Sequence, residues 1–239
     1  MALLCRSGGM VDAPDSKSGE LWFVRVRVSP SAPLNDLAKL RVFMVQFDLE
    51  RLLSIGSISP SSSFLAKEMI KYSKNLPANA RILEIGAGRG PITKFLVKEL
   101  KSSQKLDVVE LMPEFCQSLQ KYFSNKPLVT IYCCDILEFD IHKKYDLVIC
   151  SLPFNSMDPE ITKRVMALLP SMLNKSGIFS FFEYSFTQKI FYYLLRGKNL
   201  ERYKKARSLV KNFVKQYEFE HTNIYANIPP AVVRFLRFN

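Results

Sequence analysis

The 239-residue chain has two histidines, one tryptophan, no CxxC pair among its five cysteines and no apolar run of membrane-spanning length. Each scarcity excludes something. His142 and His221 are too few and too far apart for a zinc site, so no metal is expected, and both read as surface or satisfied side chains. A membrane span needs about 18 or more apolar residues, and "MALLCRSGG" has neither the charged start nor the apolar length of a secretory signal. The chain therefore reads as cytoplasmic. Cys5, Cys116, Cys133, Cys134 and Cys150 are odd in number and mostly lie in apolar segments, which predicts reduced core thiols.

What is present suits one α/β domain with a substantial core, since 48% of the residues are hydrophobic. A net charge of +12 points to an anionic partner, and both nucleic acid and an anionic membrane surface offer phosphate.

Residues 1–43 lack the periodicity of a folded segment. "SGGMVDAPDSKSGE" has no period, and "VRVRVSPSAP" alternates but runs into turn residues with no partner strand nearby. The stretch resembles a translated leucine-type transfer RNA gene: Val26-Arg27-Val28 can be written GTT CGA GTC, and Asp15-Ser16-Lys17-Ser18 can be written GAC TCA AAA TCT. Residues 1–43 are then a non-native or disordered extension, and Met44 is the natural start; a genuine arm or short hairpin is the other reading. Omitting them lowers the net charge by only two.

From Met44 onward, strands and helices alternate as in a doubly wound sheet. Ser59-Pro60 opens a helix predicted over 61–74, with Leu65, Met69 and Tyr72 on one face. Strands are predicted at "RILEI", "KLDVVEL", "VTIYCCD", "YDLVICSLP" and "GIFSFFEYSF", with helices at "PITKFLVKEL", "PEFCQSLQKYF" and 159–173, where Pro170 is placed to kink or end the last. The tail "YEFEHTNIYANIPPAVVRFLRF" reads as a closing antiparallel pair.

The chemistry centres on "ILEIGAGRG", where Gly86, Gly88 and Gly90 follow the first strand. Glycines there allow positive φ and let a ligand approach without meeting a Cβ. The spacing departs from G-x-G-x-x-G, with Pro91 in place of a last glycine. Glu110 ends the second strand, where a carboxylate accepts from both ribose hydroxyls of either NAD or S-adenosylmethionine. Three features favour the second ligand. Glu84 sits inside the first strand, placed to organise the turn and the donor's ammonium. Cys134-Asp135 closes the third strand, with Asp135 set for an adenine amino group, and Ser151-Leu152-Pro153-Phe154 closes the fourth, at the mouth of methyl transfer. The predicted donor-binding set is Glu84, Gly86, Ala87, Gly88, Gly90, Glu110, Leu111, Cys134, Asp135, Ile136 and Ser151.

These motifs carry a resemblance. "GSISPSSSFLAKEM", "LEIGAGRGPITKFL", "VVELMPEF", "SLPFNSM", "FFEYSF" and the terminal "NIPPAVV" make residues 44–239 similar to the bacterial phospholipid N-methyltransferases of the soluble, peripheral kind. Members of that family make phosphatidylcholine from phosphatidylethanolamine. The resemblance implies an α/β Rossmann-like class I methyltransferase, a mostly parallel seven-stranded sheet with helices on both faces, and S-adenosyl-L-methionine as cofactor. It also implies a cytoplasmic protein peripheral at the inner membrane. The ribosomal RNA adenine dimethylases are the related alternative: "SLPF" is similar to their N-L-P-Y, with Ser151 in place of asparagine and no separate helical domain following the sheet. A third reading is a donor-binding module without turnover.

At the acceptor, the Ser151 hydroxyl and Leu152 carbonyl are expected to take the amine's hydrogen bonds beside Pro153. Phe154 is expected to face the methylated cation, and Tyr184 to add a second ring or a hydroxyl; both rings can instead fill core. Within a predicted basic insertion at 189–217, Tyr203, Ala206, Val210, Phe213, Val214 and Tyr217 follow helical spacing. Arg202, Lys204, Lys205, Arg207, Lys211 and Lys215 occupy other positions. Such a helix either lies in a headgroup layer, apolar stripe toward the acyl chains, or packs on the sheet with a solvated face.

Overall fold

In the computed structural model, residues 60–185, 195–227 and 230–238 are described. The expectations for residues 1–43, for 189–194 and for Ile228-Pro229 of the "NIPPA" ending lie outside them. The chain alternates as α1 (Pro60–Met69), β1 (Arg81–Ile85), α2 (Pro91–Glu99), β2 (Lys105–Glu110), α3 (Pro113–Phe123), β3 (Val129–Cys133), β4 (Tyr145–Cys150), α4 (Pro159–Met172) and β5 (Leu173–Tyr184). The helix α5 (Gly197–Tyr217) and the strands β6 (Glu218–Ile224) and β7 (Ala231–Leu236) complete it.

Pro91, Pro113 and Pro159 stand at the first turns of α2, α3 and α4, where a missing N–H costs nothing. Asp158 caps α4 by accepting from Glu160 N at 2.9 Å. One boundary differs from expectation: the first helix stops at Met69 and continues as a 3-10 turn over Lys71–Asn75. The helix expected over 159–173 is found as α4, with Pro170 inside it and its end soon after, at Met172.

The seven strands form one sheet in the order β3-β2-β1-β4-β5-β7-β6. The pairs among β1 to β5 are parallel; β7 pairs antiparallel with both β5 and β6. This is the class I methyltransferase sheet that the sequence predicted. Alternation along the strands divides the core between two faces. Leu83, Ile85, Val148, Phe179 and Phe181 pack with Val165 and Leu169 of α4 and Val210 of α5. Ile82, Val108, Ile149 and Val233 pack with Leu65 and Met69 of α1, Leu96 of α2 and Leu119 of α3.

Because β1 to β4 run parallel, the turns after them gather at one edge, and the strand order reverses there between β1 and β4. In open α/β sheets a ligand binds beyond the carboxyl ends of the strands at such a reversal.

The cysteines depart from expectation. Cys116 of α3 and Cys133 at the end of β3 are joined as a disulfide, with Cα atoms 5.7 Å apart, while Cys134 and Cys150 are free and buried. The reason is register: β3 runs beside β2, which brings its last residue under the first turn of α3. Among the described residues, no helix is long and apolar enough to cross a membrane.

Candidate active site

The turn after β1 is built from three left-handed glycines, Gly86 (φ 73°), Gly88 (φ 56°) and Gly90 (φ 79°). Their surroundings differ. A Cβ on Gly90 would stand 2.8 Å from the Leu119 side chain, so that glycine allows α3 to pack closely. A Cβ on Gly88 would meet nothing within 4 Å, so the backbone there opens onto space. The Gly88 amide is already oriented, donating to Glu110 Oε2 at 2.7 Å. Glu110 Oε1 accepts from Met112 N at 2.9 Å, so one carboxylate ties the two turns together. Its neighbour Leu111 is 48% exposed, an apolar surface beside the carboxylate.

The turn after β3 is held in the same way. Cys134 N donates to Glu110 O at 3.1 Å, and Asp135 Oδ1 accepts from Leu137 N at 2.9 Å. Cys134, Ile136 and Ala87 are buried. Glu84 is fully buried on the face that packs against α2, and neither of its carboxylate oxygens has a hydrogen bond of good geometry. Burial, foremost, pushes its carboxyl up to about 7; the side chain and amide of Thr93 pull the other way, and the Glu110 charge adds to the rise.

A buried carboxyl without a protein hydrogen bond of good geometry, an open left-handed glycine and a carboxylate at the end of β2 fit S-adenosylmethionine. Its ammonium suits Glu84, and its ribose suits Glu110. When bound, that donor supplies an electrophilic methyl on a sulfonium, and the residues around it have only to align an acceptor.

The loop after β4 lies against this cradle. Ser151 N donates to Ile85 O at 2.9 Å, and a Cβ on Gly86 would come within 3.1 Å of the Leu152 side chain. The Leu152 carbonyl already accepts from Phe154 N at 2.9 Å, and the Pro153 carbonyl accepts from Ser156 and Met157. Phe154 is only 3% exposed, with its ring edge-on to Phe181. Its ring therefore packs in the core beneath the loop, the alternative that the sequence left open.

Tyr184 does not join it. Even-numbered positions of β5 face the α1 side, and Tyr184 packs there against Phe182. The odd-numbered Glu183 follows Phe179 and Phe181 on the opposite face, with Asn155 donating to it at 2.7 Å and Arg234 paired to it. Asn155, Glu183 and Arg234 were missed by motif reasoning. The signal for Glu183 was the period of two through Phe179, Phe181 and Glu183.

The apolar stripe of α5 is also placed. Tyr203, Ala206 and Val210 are buried, and Phe213, Val214 and Tyr217 pack against the same core, so the stripe is spent inside the protein rather than on acyl chains. Among its cations, Arg202 pairs with Asp158 (3.5 Å), Lys204 with Glu201 (3.0 Å) and Lys205 with Glu160 (2.9 Å). Arg207, Lys211 and Lys215 are exposed.

In sequence and in fold the chain is similar to known methyltransferases. The family model described as ribosomal RNA adenine dimethylase matches residues 62–229. An ornithine lipid N-methyltransferase of Singulisphaera acidiphila is 29% identical over 140 residues, 53% of this chain and 69% of that enzyme. A ribosomal RNA small subunit methyltransferase A of Fusobacterium nucleatum is 34% identical over 92 residues, which is 37% of this chain and only 34% of that enzyme. In fold, the chain is similar to the N-methyltransferase NodS of Bradyrhizobium japonicum in complex with S-adenosyl-L-homocysteine. That match has a TM-score of 0.61 at 17% identity, covering 80% of this chain and 96% of that one. The chain belongs to the ribosomal RNA adenine dimethylase family and is an S-adenosylmethionine-dependent N-methyltransferase.

Proposed function

We propose that the chain methylates the amine of a phosphatidylethanolamine-type headgroup at a membrane surface. One observation carries this reading: the match to the ornithine lipid enzyme extends over 69% of that protein, against 34% of the ribosomal RNA enzyme. The exposed Arg207, Lys211 and Lys215 add a cationic face suited to anionic headgroups. Because the α5 stripe is buried, this attraction is electrostatic, without insertion of that stripe.

An ethanolamine ammonium has no lone pair until it loses a proton, and a water-poor pocket lowers its pKa in the useful direction. The in-line displacement then needs no nucleophilic triad. Methylation of RNA is the second reading, favoured by the family model itself and by the net charge of +12.

The test is incubation of the full chain with methyl-labelled donor and either vesicles of phosphatidylethanolamine and phosphatidylglycerol or total RNA. Label in the ethanolamine lipid is expected. Label in RNA alone would overturn the lipid reading, and label in neither would leave a donor-binding module.

A further inference from the structure

Glu183 is buried on the same face of β5 as Phe179 and Phe181 and is held from two directions. Asn155 Nδ2 donates to its Oε1 at 2.7 Å, and Arg234 Nε donates to its Oε2. Arg234, opposite Phe181 on β7, also donates from Nη1 to Glu218 of β6. Burial works against the Arg234 charge, but Glu183 and Glu218 outweigh it and hold the guanidinium protonated. A chain of four side chains, Glu218, Arg234, Glu183 and Asn155, therefore runs from the closing strands to the loop after β4.

This chain fixes an amide. A carboxylate only accepts, so the atom that Asn155 turns toward Glu183 is its NH2 group. The other end is then Oδ1, which is buried and has no hydrogen-bond partner within the protein. A buried amide oxygen without a donor is costly, and it sits one residue beyond Ser151-Leu152-Pro153-Phe154, the loop that closes over the glycine turn.

We propose that Asn155 Oδ1 accepts a hydrogen bond from the N–H of the acceptor amine, with Glu183, anchored by Arg234, as the positioning residue that orients it. The inference rests on reading the mouth as an amine site and deepens it. It also accounts for Ser151, which stands where N-L-P-Y enzymes carry asparagine: the amide oxygen is supplied four residues later in the same loop. In the reaction, the acceptor nitrogen's lone pair forms the new N–C bond while the C–S bond breaks and its electron pair stays on sulfur. Positive charge grows on the nitrogen, its N–H becomes a stronger donor to Oδ1, and the extra proton then leaves to water. A contact that strengthens in this way contributes more to the transition state than to the bound amine.

The experiment uses the full chain, first labelling vesicles and RNA with the wild type, then measuring kcat/KM for whichever acceptor is labelled. Asn155→Ala should lower that value about tenfold or more, while affinity for S-adenosylhomocysteine stays unchanged. Glu183→Gln should lower it as well. Because Glu183 acts through Asn155, the double variant should be no worse than Asn155→Ala alone. Label in RNA with the same pattern of variants would retire the lipid reading and keep Asn155. Additive losses, or a loss that tracks melting temperature or donor affinity, would overturn the role of Asn155, and no label in either acceptor would overturn both.

Discussion

The two halves of the site are made of different material. The donor half, at the ends of β1, β2 and β3, is built from backbone: Glu110 takes the amides of Gly88 and Met112, and Asp135 takes the amide of Leu137. The proposed acceptor half, at the ends of β4 and β5, is built from side chains drawn from four elements, with Asn155 and Glu183 separated by 28 residues and Glu183 and Arg234 by 51. Turns can be specified by a few consecutive residues, because φ and a single carboxylate decide them. A network across a sheet is specified only once register is set.

Three perturbations would sharpen or break that contrast. The largest falls in the donor half, where Cys116 and Cys133 close a loop of sequence separation 17. Cys133→Ser should lower stability by about 3 kcal/mol, and a reductant should do the same to the wild type but not to the variant. Equal melting temperatures with and without reductant would return these cysteines to the reduced state that composition suggested.

Of similar size is the effect of Glu84. Its carboxyl is raised from 4.5 to about 7, so between those values the folded chain keeps a proton that the unfolded chain has lost. Stability should therefore fall as pH rises through that window, by about 3 kcal/mol in all, and level off above it. Glu84→Gln should flatten the dependence, as thermal melts at about pH 5 and about pH 8 would show. A wild type with no such slope would mean that the carboxyl is compensated.

The smallest effect lies outside both halves. Lys211→Glu with Lys215→Glu on the exposed face of α5 should change stability by less than about 0.5 kcal/mol. The same pair should weaken sedimentation with anionic vesicles, and salt should release the wild type completely, since its apolar stripe is buried in the core. Binding that survives high salt would point to insertion by some other surface.

The structure matches the sequence reading where geometry is local. The glycine turn, Glu110 at the end of β2 and the order of five parallel strands were legible because short patterns decide them. That reading failed where the outcome depends on what packs above a residue. Helical spacing displayed the stripe of α5 but could not say whether lipid or α4 would cover it. "FFEYSF" invited Tyr184 as the acceptor-side ring, yet the strand's period of two places Glu183 on that face and Tyr184 on the other. The Cys116–Cys133 bond depended on β3 lying beside β2, a pairing that no spacing between the two cysteines reveals.

Calorimetric titration of S-adenosylmethionine into the wild type, Glu110→Ala and Asn155→Ala tests the division most directly. The account predicts that affinity falls about tenfold or more in Glu110→Ala, the loss of a charged hydrogen bond, and is unchanged in Asn155→Ala. Undiminished affinity without Glu110, or an equal loss in both variants, would contradict it.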